Sequence, residues 1–565
     1  MTAQREIETG LAWSTLHRRI PLATAAMSLT VAAPAAFGVT RFLLEQDLSR
    51  ELVIACAAGV VALVLVAGYV YGVARLRTTR FRLTPDRLEL HTGVLVRQHR
   101  SIPRDRVRSV DVKADVVRRA LRLAVVKVGT GEHTTGEHTE LTLNAIAAHE
   151  AETLRRTLLT GAGAAASGHA ADTLEAPSAP GAEHEESGQA VATLRWSWIR
   201  YAPLSIWVFV GGAIAFGAIK KVLDVVGVDL FSTSAAKAVW EWLVGNPWVA
   251  VPSVMAVSLL VGLVGAVGLF AESWGNYRLE QEPRTLRVRR GLLTTRSLTM
   301  ETRRLRGVTV AEPLLLRLGG GAKVRVVAVG LRKAEGRESE EVSALTPPVP
   351  RDEAFRVASH VLHAAPAPAR NTHAPHAAPA PRQGAHALPG TSGTLAASAA
   401  REAALWGDLE PHPRAARGRR TRRALVTVAL LAAAMGVTEW LTGWIPPAAW
   451  ALPVLVLPFA LALAADAYRG LGHRLTGGHL LARAGSAGRT TVALDTGGIV
   501  GWRIRQSFFQ RRLGLVTVAA TTAAGDGHYD VIDVGTTEGL DLAARAVPGL
   551  LGPFLVRGVG GERRR

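Results

Sequence analysis

Three short stretches of the sequence contain residues that could support chemistry. The stretch GEHTTGEHTE at 131–140 holds His133 and His138 beside three glutamates, a composition that could bind a metal ion. The stretch GDGHYD at 525–530 stands at the equivalent point of a later part of the chain. Both follow valine-rich, strand-like runs, and for that reason we interpret both as solvent-exposed hairpin loops rather than metal sites.

The third stretch, LGGGAKV at 318–324, looks like a phosphate-binding loop. Such a loop needs a following Ser or Thr and a helix N-terminus to hold its anion, but here a strand-like run follows. We therefore expect a turn. Since Cys56 is the only cysteine and no Ser-His-Asp or Cys-His set can be assembled, the sequence predicts no catalytic site, no metal and no cofactor, and hence a protein that is not an enzyme.

Two arginine clusters are the strongest remaining signal in a chain of formal net charge +20. The candidate contact residues are Arg97, Arg100, Arg104, Arg106, Arg108, Arg414, Arg417, Arg419, Arg420, Arg422 and Arg423. Clustered arginine suits anionic lipid headgroups or an acidic protein surface. Solvated surface for the first cluster and an ordinary topology signal for the second are the alternatives. No aromatic platform accompanies them, so we expect no nucleic-acid partner.

Apolar stretches that could cross a lipid bilayer occur in pairs. They are 20–40, 52–74, 201–219, 242–271, 424–438 and 440–465, and the fifth spans only if it continues past Glu439 to about Trp444. About 20 helical residues cross the roughly 30 Å hydrocarbon layer. Arginines flank the outer ends of the pairs, which predicts a multi-pass protein of the cell (inner) membrane with both termini in the cytoplasm.

A threefold repeat organises the polar regions between the apolar pairs. The words Phe81-Arg82-Leu83, Tyr277-Arg278-Leu279 and His473-Arg474-Leu475 stand 196 residues apart, twice over. A Leu-x-Leu pair and then a valine-rich run follow each word at nearly constant distance. A fixed order at a fixed period indicates duplicated units. Each unit reads as several short strands and a closing amphipathic helix, which predicts a small sheet or barrel capped by one helix.

The predicted organisation has three transmembrane hairpins, three polar units and two linkers. The hairpins are 20–74, 200–271 and 424–465; the polar units are 75–160, 272–363 and 466–553; the linkers are 161–190 and 364–413, the second Pro- and Ala-rich and expected to be disordered. The fold class is therefore an α+β membrane protein with six transmembrane helices, in which each hairpin precedes a cytoplasmic unit.

The first polar unit resembles the bacterial pleckstrin-homology (PH) domains of YdbS/YdbT-like membrane proteins. The resemblance lies in RFRLTPDRLELHTGVLVRQHRSIPRDRVRSVDV at 80–112, with its Arg-Leu-Thr entry, its turn at Gly93 and its strand resuming after a short polar turn. The second unit replaces the Ile-Pro stretch, and the third departs further but keeps the order. The resemblance implies a PH-like β-barrel with a C-terminal helix, three times over, and does not define a function.

Three functions fit this reading. The favoured one is a non-enzymatic inner-membrane scaffold that presents PH-like modules to the cytoplasm for protein assembly, self-association or contact with the lipid surface. The second is a lipid-sensing or envelope-stress or resistance accessory protein whose basic clusters bind anionic headgroups. The third, a transporter or export component, is supported only by Glu439, because the apolar stretches otherwise lack charge.

Overall fold

The computed structural model describes residues 13–44, 46, 48–93, 98–107, 109–129, 140–164, 189–205, 217, 238, 241–242, 245–330, 343–364, 404–443 and 445–551. These residues belong to two compact units, Met1–Glu301 and Thr302–Arg565. Most of the predicted third span and most of both linkers lie outside the described residues.

Long apolar helices alternate with short helices that belong to the sheets. The helices are α1 (Ile20–Leu44), α2 (Arg50–Thr78), α3 (Val116–Ala120), α4 (Ala148–Ala164), α5 (Pro247–Trp274), α6 (Leu314–Leu318), α7 (Arg351–Ala364), α8 (Arg414–Thr442), α9 (Ala451–Arg469), α10 (Phe508–Arg512) and α11 (Thr536–Ala546).

Five helices in the described residues are long and apolar enough to cross a membrane: α1, α2, α5, α8 and α9. Their leucines and valines face outward, as Leu63 (69% exposed) and Val454 (70% exposed) show, and a lipid environment would cover them. The predicted fifth span is one helix that continues past Glu439, as the sequence required. It ends at Gly443, whose left-handed backbone (φ 60°) stops α8.

Glycines let α1 and α2 approach closely. A Cβ added at Gly72 would lie 2.1 Å from the Thr24 hydroxyl oxygen and 2.6 Å from Pro21 Cα, and one added at Gly68 would lie 2.7 Å from the Ser28 hydroxyl oxygen. The spacing of four residues puts both glycines on one helix face, the arrangement that brings membrane helices together through small residues. Ser28 also donates a hydrogen bond across the pair to the carbonyl of Val64 (3.4 Å).

The strands of the described residues form four antiparallel sheets. The strands are β1 (Ser14–Thr15), β2 (Arg80–Leu83), β3 (Arg87–Thr92), β4 (Gln98–Pro103), β5 (Ser109–Ala114), β6 (Leu123–Gly129), β7 (Glu140–Ala147), β8 (Gln189–Thr193), β9 (Arg278–Gln281), β10 (Thr285–Arg290), β11 (Thr295–Glu301), β12 (Leu305–Pro313), β13 (Gly321–Ala328), β14 (Val349–Pro350), β15 (Gly472–Thr476), β16 (His479–Ala484), β17 (Gly488–Asp495), β18 (Ile499–Arg505), β19 (Leu515–Thr522) and β20 (His528–Gly535).

In the first unit the sheet orders are β1-β2-β3-β4 and β7-β6-β5-β11-β10-β9-β8. In the second unit they are β14-β13-β12-β17-β16-β15 and β18-β19-β20. Each repeat therefore consists of a first half, which ends at β4, β11 or β17, and a second half, which begins at β5, β12 or β18. A single turn of 3-10 helix, beginning at Arg104, Thr302 or Thr496, separates the two halves.

Upstream residues pair with the strand that follows the apolar helices, so the helical hairpin of the first repeat is inserted into a sheet instead of preceding it. Ser14 on β1, before α1, pairs with Phe81 on β2, after α2. In the second repeat β8 pairs in the same way with β9 across the chain that contains α5. In the third repeat Glu410 forms an isolated bridge with His473. The predicted unit boundaries leave these upstream strands out, because one to four paired residues are too few to produce a clear alternating sequence pattern.

Neighbouring repeats share sheets, which changes the predicted picture of three separate barrels. Strand β5 of the first repeat pairs with β11 of the second, and β12 of the second pairs with β17 of the third. The described strands therefore do not close on themselves within a repeat. At each joint one strand edge is paired with the next repeat along the chain.

The amphipathic helices close the cores as predicted. Ala151 and Leu158 of α4 are fully buried against β5–β7, and Leu542 and Ala543 of α11 against β18–β20. Helix α11 ends at Ala546, two residues before Pro548, because the residue that precedes proline disfavours helical backbone.

Gly307 lies where β12 comes closest to β17. A Cβ there would lie 2.3 Å from the carbonyl oxygen of Ala493, so Gly307→Ala must push the strands apart. We expect a loss of about 1–3 kcal/mol in the free energy of unfolding, measured on the full chain in detergent. Gly501 is the matched control: it holds the same place in β18, and a Cβ added there meets nothing within 4 Å, so Gly501→Ala should change stability by less than about 0.5 kcal/mol. Equal losses would contradict the close pairing.

Candidate functional site

The joints between repeats have the same register. In the first joint Met300 lies opposite Ser109, and in the second Leu494 lies opposite Gly307. Met300 and Leu494 each stand two residues before the start of a 3-10 turn, and Ser109 and Gly307 each stand five residues after one. The same residues of the repeat therefore meet at both joints, which makes the joint a built interface rather than an accident of packing.

An arginine of a short helix reinforces each joint. Arg119, the fourth residue of α3, donates to the carbonyls of Leu292 and Leu293 in the β10–β11 turn of the second repeat. Arg317, the fourth residue of α6, donates to Asp466 of the third repeat over 2.7 Å. Charge-assisted hydrogen bonds of this kind fix orientation as well as adding stability.

A polar network lines the first joint. Arg296 on β11 makes a two-pronged contact with Asp111 on β5 (2.9 Å at the closer pair), and both side chains are nearly buried. Close by, Glu152 binds Arg155 (2.8 Å) and Arg287 (3.0 Å). Burial alone would raise the pKa of Glu152, but the hydrogen bond and charge of Arg155, together with the charge of Arg287, leave it below its ordinary value.

Carboxylates at the base of two apolar helices hold the sheets against the membrane segments. Glu272 at the end of α5 accepts the backbone N–H groups of Leu293 (3.0 Å) and Thr294 (2.8 Å). Asp466 at the end of α9 accepts hydrogen bonds from Ser486 (2.7 Å) and Arg489 (2.9 Å) in the β16–β17 turn region. The end of each of these helices is thus hydrogen-bonded to the equivalent hairpin turn in its own repeat, β10–β11 for α5 and β16–β17 for α9.

The buried Asp533 forms ion pairs with two arginines of the second predicted cluster, Arg419 and Arg420. Asp533 on β20 is 1% exposed, binds Arg419 and lies 3.5 Å from Arg420. Gln510 also donates to it (2.9 Å). Its backbone is left-handed (φ 61°), at a bulge between β19 and β20, which turns its carboxylate toward the start of α8.

Two buried histidines lie beside Asp533. His412 and His473 meet ring to ring (Nε2 to Nδ1, 3.1 Å), and the other ring nitrogen of His412 lies 3.2 Å from the Asp533 carbonyl oxygen. Glu410, largely exposed, is 3.4 Å from His473. Burial, and then the charge of His473, lowers the pKa of His412 to about 4, and burial also lowers the pKa of His473. Both rings are therefore neutral near pH 7.

The structure separates the predicted contact arginines by environment. In the second cluster Arg414, Arg417, Arg422 and Arg423 are exposed, with Arg422 stacked on the Phe509 ring (4.5 Å), whereas Arg419 and Arg420 contact Asp533.

In the first cluster, Arg104 binds the carbonyls of Pro85 and Thr157 and so joins the turn to α4. Arg100 donates to Gln98 (3.2 Å), and Arg106 is exposed. Arg97 and Arg108 lie outside the described residues.

Two of the three stretches that were interpreted as loops contain turns in the structure. LGGGAKV is a turn: α6 ends at Leu318, Gly320 is left-handed (φ 74°), and β13 begins at Gly321. GDGHYD contains the turn between β19 and β20, and its Asp530 pairs with Arg505 (2.9 Å). The stretch 131–140, with His133 and His138, falls almost entirely outside the described residues.

Two features of the site were not predicted from the sequence: the carboxylates at the helix bases (Glu272 and Asp466) and the contact between His412 and His473. Glu272 and Asp466 each occur at the end of the second helix of a hairpin, and that recurrence was a readable signal. Asp533 and His412 are 121 residues apart, so nothing local announces their contact.

Comparison with protein families agrees with this architecture. The family model described as "Bacterial PH domain" matches residues 32–162, 222–365 and 424–546, more than half of the chain. The chain belongs to the bacterial PH-domain family. The first match begins within α1 and the third within α8, and the three matches end in or near the closing helices α4, α7 and α11, so the family unit includes apolar helix and sheet together. Neither a search of curated proteins nor a search of solved structures found a match.

Removing the charge of Asp533 should uncouple α8 from the third repeat. Asp533→Asn keeps a residue that tolerates the left-handed backbone but leaves Arg419 and Arg420 without a carboxylate. We expect a loss of about 3 kcal/mol in unfolding free energy, read from thermal unfolding in detergent. The control is Asp530→Asn, which removes a more exposed ion pair and should cost less than about 1 kcal/mol. Similar losses in both variants would argue against the role of the buried cluster.

Acid should destabilise the chain through the histidine pair. The folded pKa of His412, about 4, lies below the ordinary value of 6.5, so the unfolded chain binds more protons between these values. The contribution of neutral His412 to the free energy of unfolding is complete above pH 6.5. This contribution falls by roughly 2–3 kcal/mol as the pH falls toward 4. The measurement is the unfolding temperature between pH 7 and pH 4.5, in which His412→Gln should show a shallower slope. Parallel slopes would show that other groups set the acid sensitivity.

Proposed function

We propose that the chain is a non-enzymatic scaffold of the cell membrane, whose three helical hairpins hold PH-like modules at the cytoplasmic face for assembly with other proteins. Membership of the bacterial PH-domain family suggests a module for membrane or protein interaction, and the described helices are long and apolar enough to cross a bilayer. Cytoplasmic placement is supported by the arginines at the helix bases, such as Arg75 and Arg77.

The observation that carries this proposal is the sharing of sheets. Six residue pairs join β5 to β11, and seven join β12 to β17. Halves of modules on free linkers would move independently, whereas a strand ladder holds the two halves of each joint in one orientation. Similar surfaces carried on one chain suit multivalent binding, because the second contact forms at high effective concentration.

Contact with anionic lipid is the second candidate function, and one observation favours it. Arg414, Arg417 and Arg423 are exposed at the start of α8, where a basic side chain near an anionic leaflet contributes about 1 kcal/mol. Lipid sensing and an envelope-stress role would use this surface. A transport role has weaker support, because the Glu439 carboxylate accepts the backbone N–H of Ile445 (3.0 Å) at the end of its helix.

One preparation tests both candidates. Native membranes are extracted with an amphipathic polymer, without detergent, and the discs are analysed by mass photometry and lipid mass spectrometry. A scaffold predicts discs that hold more protein than one 59.9 kDa chain, and discs with a single chain under every extraction condition would contradict the proposal.

The lipid candidate is separated by a matched pair of variants. Replacing Arg414, Arg417 and Arg423 by Gln should lower the enrichment of anionic lipid in the discs several-fold and leave the protein mass unchanged. The control replaces three exposed arginines far along the chain from α8, Arg87, Arg156 and Arg278, by Gln. Equal enrichment in the two variants would remove the lipid candidate.

A further inference from the structure

The third repeat has an open sheet edge where the first two repeats have a joint. Among the described strands β18 pairs only with β19, whereas its counterparts β5 and β12 each pair on both sides. Gly501 marks the difference: a Cβ at this position meets nothing within 4 Å, whereas at Gly307 it meets the neighbouring strand. Val500 (65% exposed) and Ile504 (42% exposed) lie along the same open edge.

The arginine that reinforces a joint is also present here without an acceptor. Arg511 is the fourth residue of α10, the place that Arg119 and Arg317 hold in α3 and α6. Its side chain is exposed and makes no hydrogen bond or ion pair with the described residues. Phe508 (55% exposed) and Leu513 (37% exposed) lie beside it and add apolar surface.

We propose that β18, Ile504 and Arg511 form an acceptor site for the first half of a further bacterial PH module carried by a separate polypeptide. This inference rests on the scaffold function proposed above and names the kind of partner. Continuity with the two internal joints is the argument, because the chain itself shows twice what such an edge binds. The incoming strand runs antiparallel to β18, as β11 runs to β5 and β17 to β12.

The shared register identifies which residues of the incoming strand matter. Counted from the 3-10 turns, the position of Gly501 faces the position that Ile102 holds in β4. Arg503 then faces the position of Arg100, and Ile504 that of His99. In the first internal joint the matching pair is Asp111 with Leu298, so no like charges meet there.

Charge disfavours a second copy of this chain as the natural partner. Its own β4 would place Arg100 directly opposite Arg503, and like charges at directly paired positions destabilise a sheet. The base of its α2 carries Arg75 and Arg77 in the region where α5 and α9 carry Glu272 and Asp466, so it lacks the carboxylate that Arg317 binds in the second joint. The site therefore fits a module with an acidic side chain opposite Arg503 and an acid at the base of its second helix.

Disulfide cross-linking between two full-length chains tests the site. The acceptor chain carries Cys56→Ser and Ile504→Cys; the donor chain carries Cys56→Ser, His99→Cys and Arg100→Glu, so that its own first strand edge serves as the acidic probe. The chains bear different tags and are co-expressed in membranes. After mild oxidation we expect a disulfide-linked heterodimer, with a yield about tenfold above that of the same donor without Arg100→Glu.

Register and charge are controlled separately. The register control carries Val500→Cys instead of Ile504→Cys. Val500 is exposed on the same strand but lies about four residues from the position that faces His99, so this cysteine should give no cross-link. Adding Arg503→Glu to the acceptor should reverse the preference, so that the donor with native Arg100 becomes the better partner. Circular dichroism and unfolding temperature of each variant verify that the chains are folded.

Three results would overturn the proposal: no cross-link with the Arg100→Glu donor, equal yield with and without Arg100→Glu, or no reversal by Arg503→Glu. Failure here is distinct from failure of the scaffold function. If discs from native membranes still hold more protein than one chain, the scaffold stands and β18 is not its acceptor. If they hold one chain while the cross-link forms, the acceptor site exists and the chain has no resident partner under those conditions.

Discussion

Backbone hydrogen bonding at the edges of short sheets is the interaction on which the structure depends. Half-sheets of three or four strands leave rows of unpaired N–H and C=O groups, which must be paired, covered or solvated. In this chain the second half of one repeat supplies an edge, and the first half of the next repeat occupies it, through β5 with β11 and β12 with β17. The repeat is thus also a unit of pairing, and duplication of the sequence produced an interface as well as a copy.

Charged groups then locate these sheets relative to the apolar helices. Glu272 and Asp466 bind hairpin turns, and Asp533 binds Arg419 at the start of α8. Asp533 is almost completely removed from solvent, where an unpaired charge is costly, so this contact favours one arrangement over its alternatives. The arginines near α8 accordingly lie in two environments. Arg419 and Arg420 contact the buried Asp533 of the third repeat, whereas Arg414, Arg417 and Arg423 are exposed to solvent.

The sequence allowed the repeat, the five described apolar helices and the closing helices to be predicted, because hydrophobic periodicity and length determine them locally. Helix α8 was predictable past Glu439, since one carboxylate near a helix end does not interrupt an apolar run. Strand sharing was not predictable, because β11 has the same alternation whether its edge meets β5 or solvent. Arg419 and Arg420 read as a topology signal, and only folding brings them to Asp533, more than one hundred residues later.

The placement of each helical hairpin inside a sheet has a consequence for how the polar parts can form. Strand β1 cannot meet β2 until the whole of α1 and α2 between them has been synthesised and folded back. Completion of the first half-sheet is therefore coupled to the return of the hairpin, so packing of the two apolar helices becomes a step in the folding of the sheet. A fragment that starts after α2 would also expose the edge of β2, and the smallest self-contained piece of the first repeat includes its own apolar helices.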